Sequence, residues 1–482
     1  MLTSLTRSAA AVLAGRVDVP RNNVATLHAL AYRALGSPPL AEEGELAAQW
    51  NALHPHNPAW HVGGPMSTEE DGLALPDAET GEMMRLYALA RARLVPVGHP
   101  LYALTKDFRR AWTDYKYETG AIDFTDMLEE AAGQVAMLPQ PVLIVDEAQD
   151  LVPLQWSLAR QWGSYAERFL ASGDPAQVLY NFAGARPDDF LTELPPDHIR
   201  VLSQSYRLPE AVLRHAERFL SGHSGRLMVG REYRPRAQRD HPDAIGVVRF
   251  SEATWRRPEQ VVEMIERDER DCMVLASCSF MLAPLISALR ERGIPFANRY
   301  RQGTGAWNPL LRRSGTTSTA GMVAAYADRK PAKEWVELVR ADVFMLRGAK
   351  KYLAGDGGDT VEGLLKPEHM AAFEARDLNW LRDHMLTKYV QPATYAIDVI
   401  RKQGTAALTA EPRVTVGTIH SVKGGEARVV YLFPDISAAG EQERQASRDG
   451  EDAAIRLGYV GITRASEDVV LCSAADPRRG MW

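Results

Sequence analysis

The segment Pro141–Asp150 (PVLIVDEAQD) constrains the fold of this chain more than any other. A continuous apolar run ends there at two adjacent carboxylates, Asp146 and Glu147. Such a run predicts a buried strand of a parallel sheet, and open α/β sheets bind their ligands at the carboxyl ends of these strands. Taken alone, the segment fits either a core strand before an acidic helix N-terminus or a strand that carries a functional site.

Composition and length restrict the class of protein. A chain of 482 residues is too long for one hydrophobic core and suggests roughly three or four compact units. The net charge of -6 means that a nucleic-acid partner needs a local basic groove. Cys272, Cys278 and Cys472 form no CxxC pair and no Cys/His cluster, which favours a reducing compartment. Because no run could cross a bilayer, we expect a cytoplasmic protein without a membrane partner.

Strands and helices alternate rapidly near the N-terminus, again after residue 141, and again after residue 413. The stretches between them have helical periodicity. The predicted fold class is therefore α/β, with two parallel-sheet domains that are each interrupted by a helical insertion. The predicted bounds are 1–36 and 138–196 for the first domain, 37–137 for its insertion, 197–305 and 408–482 for the second domain, and 306–407 for its insertion.

Several local expectations follow from the same patterns. Residues 3–17 predict a turn and an Ala-rich helix with no strand before them, and residues 199–202 predict a short strand. A helix is expected over 123–137, with Asp123 or Thr125 as its N-cap.

The polar residues that follow the predicted strands suit phosphoryl transfer from a nucleoside triphosphate, with Mg²⁺ as cofactor. Such a reaction needs a magnesium ligand, a carboxylate that orients water, a sensor of the γ-phosphate and cations for the developing charge. Asp146 is placed to bind magnesium, and Glu147 beside it is placed to act as the base. Gln177 follows the adjacent strand and can reach the γ-phosphate. Arg207 and Arg464 could act as arginine fingers.

Five collinear motifs make the pattern specific. They are DEAQD at 146–150, GD at 173–174 with Gln177 and Tyr180, SYR at 205–207, TIHSVKGGE at 418–426, and YVGITRA at 459–465. In this order they resemble the motifs of UvrD/Rep-like superfamily 1 DNA helicases, and the resemblance covers nearly the whole chain. It implies two RecA-like domains of the P-loop NTPase type with ATP bound between them. It also implies an ATP-dependent helicase or translocase that moves 3′ to 5′ on single-stranded DNA.

The resemblance also assigns residues that contact DNA or nucleotide. The residues that it assigns to contact with the DNA strand are Thr6, Arg7, Thr26, His28, Thr418 and His420. Tyr180 and Phe182 occupy the aromatic positions where bases stack, at roughly 1–3 kcal/mol per base, although Phe182 could instead be a core residue. Glu426 resembles the residue that holds the ribose, and Lys423 either contacts phosphate or caps a turn. The implied partners are single-stranded DNA, junctions of single- and double-stranded DNA, and replication or repair proteins.

One family feature is absent. The P-loop (Gly-x-x-x-x-Gly-Lys before Ser or Thr) holds the β- and γ-phosphates, but no lysine of this chain precedes Ser or Thr. We expect the missing strand and loop upstream of Met1, with the strand next to the one that ends at Asp146. The chain would then be an N-terminally truncated helicase. One alternative is an ATPase-deficient protein that binds single strands or assists a helicase. The other is a helicase–nuclease subunit, for which no nuclease segment follows the last motif.

Overall fold

The computed structural model describes residues 1–4, 14–15, 20, 23–63, 81–133, 141–186, 195–223, 232–237, 245–299, 318–330, 334–340, 365–408 and 410–482. They divide into two compact units. Unit 1 comprises Met1–Ser205, Leu213–Pro235 and Ala439–Val460, and unit 2 comprises Tyr206–Val212, Arg236–Ala438 and Gly461–Trp482. Each unit holds a parallel sheet, which confirms the predicted α/β class. The predicted domain bounds stay a prediction.

The strands are β1 Leu2–Ser4, β2 Val24–Thr26, β3 Val142–Val145, β4 Arg168–Ala171, β5 Val247–Ser251, β6 Cys272–Ala276, β7 Phe296–Asn298, β8 Val414–Thr418, β9 Ala427–Leu432 and β10 Ala465–Cys472. The α-helices are α1 Leu27–Ala34, α2 Gly44–Leu53, α3 Glu82–Ala92, α4 Pro100–Leu104, α5 Lys106–Thr119, α6 Phe124–Gly133, α7 Pro153–Gly163, α8 Glu210–His223, α9 Glu259–Arg267, α10 Ala283–Glu291, α11 Thr319–Ala327, α12 Pro367–Glu374, α13 Leu378–Asp383, α14 Thr387–Gln403, α15 Ala438–Ala446 and α16 Arg448–Ile462.

The sheet of unit 1 has the strand order β2-β1-β3-β4, and all its pairs are parallel. Strand β1 occupies an interior position between β2 and β3, so the expectation that no strand stands at the N-terminus is wrong. The Ala-rich helix predicted within residues 3–17 lies mostly outside the described residues. Three residues suffice because β1 receives support on both sides: Leu2 pairs with Val24 on one side and with Ile144 on the other.

Strand β3 is buried mainly on one face. Leu143 and Val145 are buried, whereas Ile144 is only partly covered. In the parallel register Ile144 pairs with Leu170 of β4, and Leu170 is 53% exposed. Helix α7 covers the buried face, since Gly163 lies directly against the ring of Phe169. The second face of this sheet is therefore incompletely covered, although the apolar run predicted burial on both.

Among the described strands, the edge strands of this sheet are β2 and β4. Strand β3, which ends at Asp146, pairs with β1 on one side and β4 on the other. The expectation that the missing strand lies beside β3 is therefore wrong. Among the described strands, β4 has a neighbour only on the β3 side. Parallel sheets are normally protected at such edges, because an unpaired strand exposes backbone hydrogen-bonding groups.

The helices between β2 and β3 enclose an aromatic core. Trp50, Phe108 and Trp112 are almost completely buried, and the Trp50 and Trp112 rings meet at 4.9 Å in an edge-to-face arrangement. Helix α5 ends at Gly120, which adopts φ 63° and lets its N–H reach the carbonyls of the last turn. These helices agree with the predicted helical character of the segment.

A buried charge cluster joins α3, α5 and α6. Asp123 is completely buried and accepts hydrogen bonds from Arg91 Nη1 (3.0 Å) and Lys116 Nζ (2.6 Å). Burial opposes its ionisation, but these two cations outweigh burial and lower the pKa of Asp123 to about 2. Its Oδ1 also accepts the Asp126 N–H at 2.7 Å, so the expected capping of α6 by Asp123 is confirmed.

The sheet of unit 2 is larger, with the parallel strand order β5-β10-β9-β6-β8-β7. Strand β6 lies in its interior and all of its residues are buried. Cys272 and Cys472 are free thiols within this sheet, and burial raises the pKa of each to about 12. Both thiols are therefore protonated at neutral pH and act as small apolar core residues.

Two local expectations fail. Residues 199–202 form no strand, since they pair with no strand in the described part of the chain, and Leu202 is 83% exposed. The helical insertion predicted over 306–407 includes a helical pattern at 332–344 (AKEWVELVRADVF), but the described part of that segment contains only the 3₁₀ turn Val336–Leu338. Within the described ranges, no helix combines the length and apolar character needed to span a bilayer.

The buried carboxyl of Glu42 provides a test of the charge cluster. Its Oε2 accepts the Phe124 N–H at 2.7 Å, and burial together with the Asp123 carboxylate raises the pKa of Glu42 to about 8. The folded protein therefore holds a proton that the unfolded chain releases above its ordinary pKa of 4.5. The stabilisation should be complete below that value and decline as the pH rises to about 8.

We predict that Glu42→Gln removes this decline. Amide hydrogen exchange of α5, corrected for the intrinsic rate and compared at about pH 5 and about pH 9, measures the local stability. The exposed Glu118→Gln on the same helix is the control and should keep the wild-type pH dependence. Equal pH dependence of wild type and Glu42→Gln would contradict the prediction.

Candidate functional site

The carboxyl end of β3 presents Asp146 to solvent in a fixed position. Its backbone N–H donates to the Thr3 carbonyl at 2.8 Å, which continues the pairing with β1. Its Oδ1 accepts a hydrogen bond from Ser172 Oγ at 2.5 Å, and Ser172 directly follows β4. The carboxylate remains partly exposed, so it can take a further ligand. Ser172 was not anticipated from the sequence, although its place after a predicted strand was the available signal.

Glu147 lies in a strained backbone conformation. Its φ of 54° and ψ of 36° are left-handed, which costs a residue other than glycine on the order of 1–2 kcal/mol. This conformation reverses the chain direction between β3 and the 3₁₀ turn Ala148–Asp150. The Glu147 side chain accepts a hydrogen bond at Oε2 from Gln149 Nε2 at 2.6 Å. Strain of this kind is concentrated at functional positions, which supports the predicted role of Glu147.

Gln177 belongs to a turn that begins at Asp174. Asp174 Oδ1 accepts the Ala176 N–H at 2.9 Å and so caps the 3₁₀ turn Pro175–Gln177. Its Oδ2 accepts a hydrogen bond from Gln177 Nε2, also at 2.9 Å. Asp174 therefore fixes both the backbone of the turn and the amide of Gln177. The structure brings Asp146, Glu147 and Gln177 to the same edge of the sheet, as predicted.

Two buried residues of the DEAQD motif hold this edge together. Gln149 and Asp150 are both 0% exposed. Asp150 Oδ1 accepts the Leu179 N–H at 3.0 Å and so anchors the segment that leads to Tyr180. Neither residue was assigned a role from the sequence, because only the tertiary structure shows which backbone groups they reach.

The aromatic pair after Gln177 is divided between core and surface. Tyr180 is 1% exposed, whereas Phe182 is 53% exposed, and their ring centroids lie 5.9 Å apart. Phe182 is therefore not a core side chain and offers part of its ring for stacking. The ring of Tyr180 is covered in this structure, so its predicted contact with bases would need a rearrangement and stays a prediction.

The N-terminal residues assigned to DNA are only partly described. Thr6 and Arg7 lie outside the described residues. Thr26 is 7% exposed and caps α1, since its hydroxyl accepts the Ala29 N–H at 3.2 Å. His28 follows in the first turn, where burial lowers its pKa to about 4, so the ring is neutral at pH 7. Thr26 thus has a structural role, and the DNA contacts of both residues remain predictions.

In unit 2, Arg207 and Glu426 form an ion pair. Arg207 Nε donates to Glu426 Oε2 at 2.5 Å, and the two side chains are 30% and 53% exposed. Solvent screens a pair of this exposure, so it contributes little stability and can exchange partners. The sequence assigned both residues to the nucleotide, and the structure places them in contact.

Arg464 lies next to this pair and is 2% exposed. Its Nη1 donates to the Gly425 carbonyl and its Nη2 donates to Thr463 Oγ1, both at 3.3 Å. The Arg464 carbonyl accepts the Ala427 N–H at 3.1 Å. Both predicted arginine fingers therefore meet the segment Gly425–Ala427.

The loop between β8 and β9 carries Thr418 and His420. The Thr418 hydroxyl accepts the Ser421 N–H at 3.2 Å, and Ser421 Oγ donates back to the Thr418 carbonyl at 3.0 Å. This local turn fixes the backbone where β8 ends, while His420 and Lys423 stay partly exposed. Their predicted contacts with DNA or phosphate remain open.

No group of three or more His, Cys, Asp or Glu residues suited to a metal occurs in the described part of the chain. A magnesium ion that accompanies a nucleotide does not need such a cage, because one or two carboxylates, phosphate oxygens and water complete its shell. The partly exposed Asp146, oriented by Ser172, fits that donor set.

Comparisons with known proteins identify two matching domain families and several relatives. Residues 1–183 match the family model of an AAA domain, and residues 413–472 match that of a UvrD-like helicase C-terminal domain. Similar curated proteins include the ATP-dependent DNA helicase UvrD2 of Mycobacterium bovis and of two strains of Mycobacterium tuberculosis. Each is 32% identical over 100 residues, and the match spans 20% of this chain but only 14% of the relative. The resemblance to UvrD-like helicases is thus confirmed.

The aromatic pair generates a stability prediction. Tyr180→Ala should lower the free energy of unfolding by about 3–5 kcal/mol, because it empties a buried position. Phe182→Ala should lower it by less than about 1 kcal/mol, because its ring is largely exposed. Urea unfolding of both variants measures the difference, and similar losses in the two would contradict the division between core and surface.

Proposed function

We propose that the chain forms the core of an ATP-dependent DNA helicase or translocase, in keeping with its match to an AAA domain and to a UvrD-like helicase C-terminal domain. ATP and Mg²⁺ are the proposed cofactors, and hydrolysis drives movement on single-stranded DNA. The observation that carries the proposal is the group of Asp146, Glu147 and Gln177 at one edge of the sheet, each oriented by its own hydrogen bond.

The roles of these residues follow from their surroundings. Asp146, held by Ser172, would bind Mg²⁺, which neutralises charge on the phosphates when it is bound. Glu147 takes a proton from the attacking water while the water oxygen bonds to the γ-phosphorus. The bond to the bridging oxygen breaks, so ADP and phosphate leave. Gln177 contacts the γ-phosphate, and Arg207 and Arg464 balance the charge that develops in transfer.

When nucleotide binds, the Glu426 carboxylate would release Arg207 and accept hydrogen bonds from the ribose instead. The ion pair of Arg207 and Glu426 is partly exposed and weak, so nucleotide can separate the two side chains at little cost. Arg207 would then be released toward phosphate. This accounts for the contact between two residues that the sequence assigned to different parts of the same nucleotide.

Single-stranded DNA is the proposed track. The exposed ring of Phe182 would stack on bases, and Thr418 and His420 would contact the strand beyond β8. We further propose 3′-to-5′ movement, action at junctions with double-stranded DNA, replication or repair proteins as partners, and a cytoplasmic location. These follow from the family resemblance.

The phosphate-binding loop is the missing part of this machinery. We propose that a strand from outside these 482 residues pairs with the open edge of β4 and carries that loop. The exposed Leu170 supports this, since a strand with a following helix would cover it. The genomic sequence upstream of Met1 tests the proposal, and the absence of an in-frame Gly- and Lys-containing loop there contradicts it.

A second candidate function is favoured by one specific observation. Because no lysine of the chain precedes Ser or Thr, the protein could bind single-stranded DNA or assist a helicase without hydrolysing ATP. This alternative keeps the exposed Phe182 but leaves Glu147 without a catalytic role. It requires binding to DNA that is indifferent to ATP.

An ATPase assay with and without single-stranded DNA separates the two functions. In a protein that includes the upstream reading frame, Glu147→Gln should lower hydrolysis by at least about 100-fold and leave ATP and DNA binding unchanged. The exposed Glu167→Gln in the same unit is the control and should hydrolyse ATP like wild type. Full turnover by Glu147→Gln would exclude Glu147 as the base. Wild-type DNA binding without any turnover would favour the second candidate.

A DNA-binding prediction concerns Phe182. Its replacement by Ala should weaken binding of an oligothymidine about 5- to 100-fold, as expected for one lost stacking contact of roughly 1–3 kcal/mol. Fluorescence anisotropy of a labelled oligonucleotide measures the change. The exposed Tyr165→Ala in the same unit serves as the matched aromatic control. Unchanged affinity of Phe182→Ala would remove this residue from the DNA contact.

A further inference from the structure

Gln149 is completely buried, and its amide forms hydrogen bonds in three directions. Its Nε2 donates to Glu147 Oε2 at 2.6 Å and to Asp150 Oδ2 at 3.3 Å. Its Oε1 accepts the Asp174 N–H at 3.1 Å. A buried amide with all of these contacts is fixed in orientation, because rotating it would turn its oxygen toward two carboxylates.

These bonds connect the ends of β3 and β4. Glu147 follows β3, and Asp174 belongs to the turn after β4. Since Asp174 Oδ2 holds Gln177 Nε2, one continuous path runs from Glu147 through Gln149 and Asp174 to Gln177. The predicted base and the predicted γ-phosphate sensor are thus joined through a single buried amide.

The backbone makes room for this amide at Gly173. A Cβ at that position would lie 2.2 Å from Gln149 Oε1 and 3.1 Å from the Gln149 backbone nitrogen. No side chain fits there without displacing Gln149. The glycine of the GD motif is therefore required by packing against Gln149, since its own φ is not in the left-handed region.

We propose that Gln149 is a positioning residue that holds the Glu147 carboxylate in its working orientation and connects it to the Gln177 turn. The left-handed backbone of Glu147 alone would not fix χ angles of its side chain, whereas the bond to a buried donor does. The part of the proposal that concerns hydrolysis rests on the proposed function. The contact of Gln149 with Glu147 can be tested without it.

The first experiment exchanges the amide of Gln149 and the carboxylate of Glu147 between the two positions. Gln149→Glu keeps an oxygen for the Asp174 N–H but sets a carboxylate against Glu147 and Asp150. The variant loses the donor that Gln149 supplies to both carboxylates, so its Tm should fall by several degrees relative to wild type. The double variant Glu147→Gln/Gln149→Glu restores a donor–acceptor pair with reversed polarity and should recover part of that loss.

Gln155 supplies the matched control. It is also a buried glutamine of unit 1, and its Oε1 accepts the Val152 N–H at 3.0 Å at the start of α7. When Gln155→Glu is combined with Glu147→Gln, the changes in Tm of the two single variants should add, because no hydrogen bond joins these two residues. A Gln149→Glu variant with the Tm of wild type, or an exchange without any recovery, would overturn the proposal.

The second experiment measures hydrolysis in the protein that includes the upstream reading frame. Gln149→Met keeps the volume but removes the donor, and should lower kcat about 10- to 100-fold with KM for ATP nearly unchanged. Gln155→Met should leave kcat unchanged even if it lowers Tm. A higher KM for ATP with an unchanged kcat would contradict a positioning role. If wild type itself lacks ATPase activity, the proposed function fails. The exchange experiment would still show whether Gln149 holds the Glu147 carboxylate.

Discussion

The parallel pairing of β3 with a neighbour on each side is the constraint on which the rest of unit 1 depends. Because β1 and β4 both run parallel to β3, their carboxyl ends meet at one edge and bring Ser172 to Asp146. The turn after β3 must then reverse within a few residues, and Glu147 takes the left-handed conformation that does so. Backbone strain at this residue is offset by burial and hydrogen bonding of the residues that follow.

The same arrangement explains why buried polar residues surround the edge. Gln149 and Asp150 accept the backbone N–H groups of Asp174 and Leu179, and the N–H of the buried Leu179 would otherwise lack this acceptor. In unit 2 a comparable organisation surrounds Gly425, whose carbonyl accepts from the buried Arg464. Its neighbour Glu426 holds the exposed Arg207 only loosely. Unit 2 thus combines a fixed buried arginine with an exposed ion pair that can change partners.

Much of the secondary structure near the site was predictable, because strong apolar runs and caps are local signals. The strand at Cys272–Ala276 and the Asp123 cap follow the pattern of the sequence. The failures have physical causes. Strand β1 is three residues long and is stable only because it pairs on both sides. Residues 199–202 have strand character but no partner strand.

The sequence by itself indicated the residues that are proposed to carry the chemistry, since Asp146 and Glu147 directly follow an apolar run and Gln177 lies in the loop after the next predicted strand. The tertiary structure alone decided which side chains orient them, because hydrogen bonds such as those of Gln149 and Ser172 join residues far apart in the chain. It also decided that Phe182 is exposed while Tyr180 is buried, and that the sheet is open at β4. Burial and strand neighbours depend on packing, which no local pattern specifies.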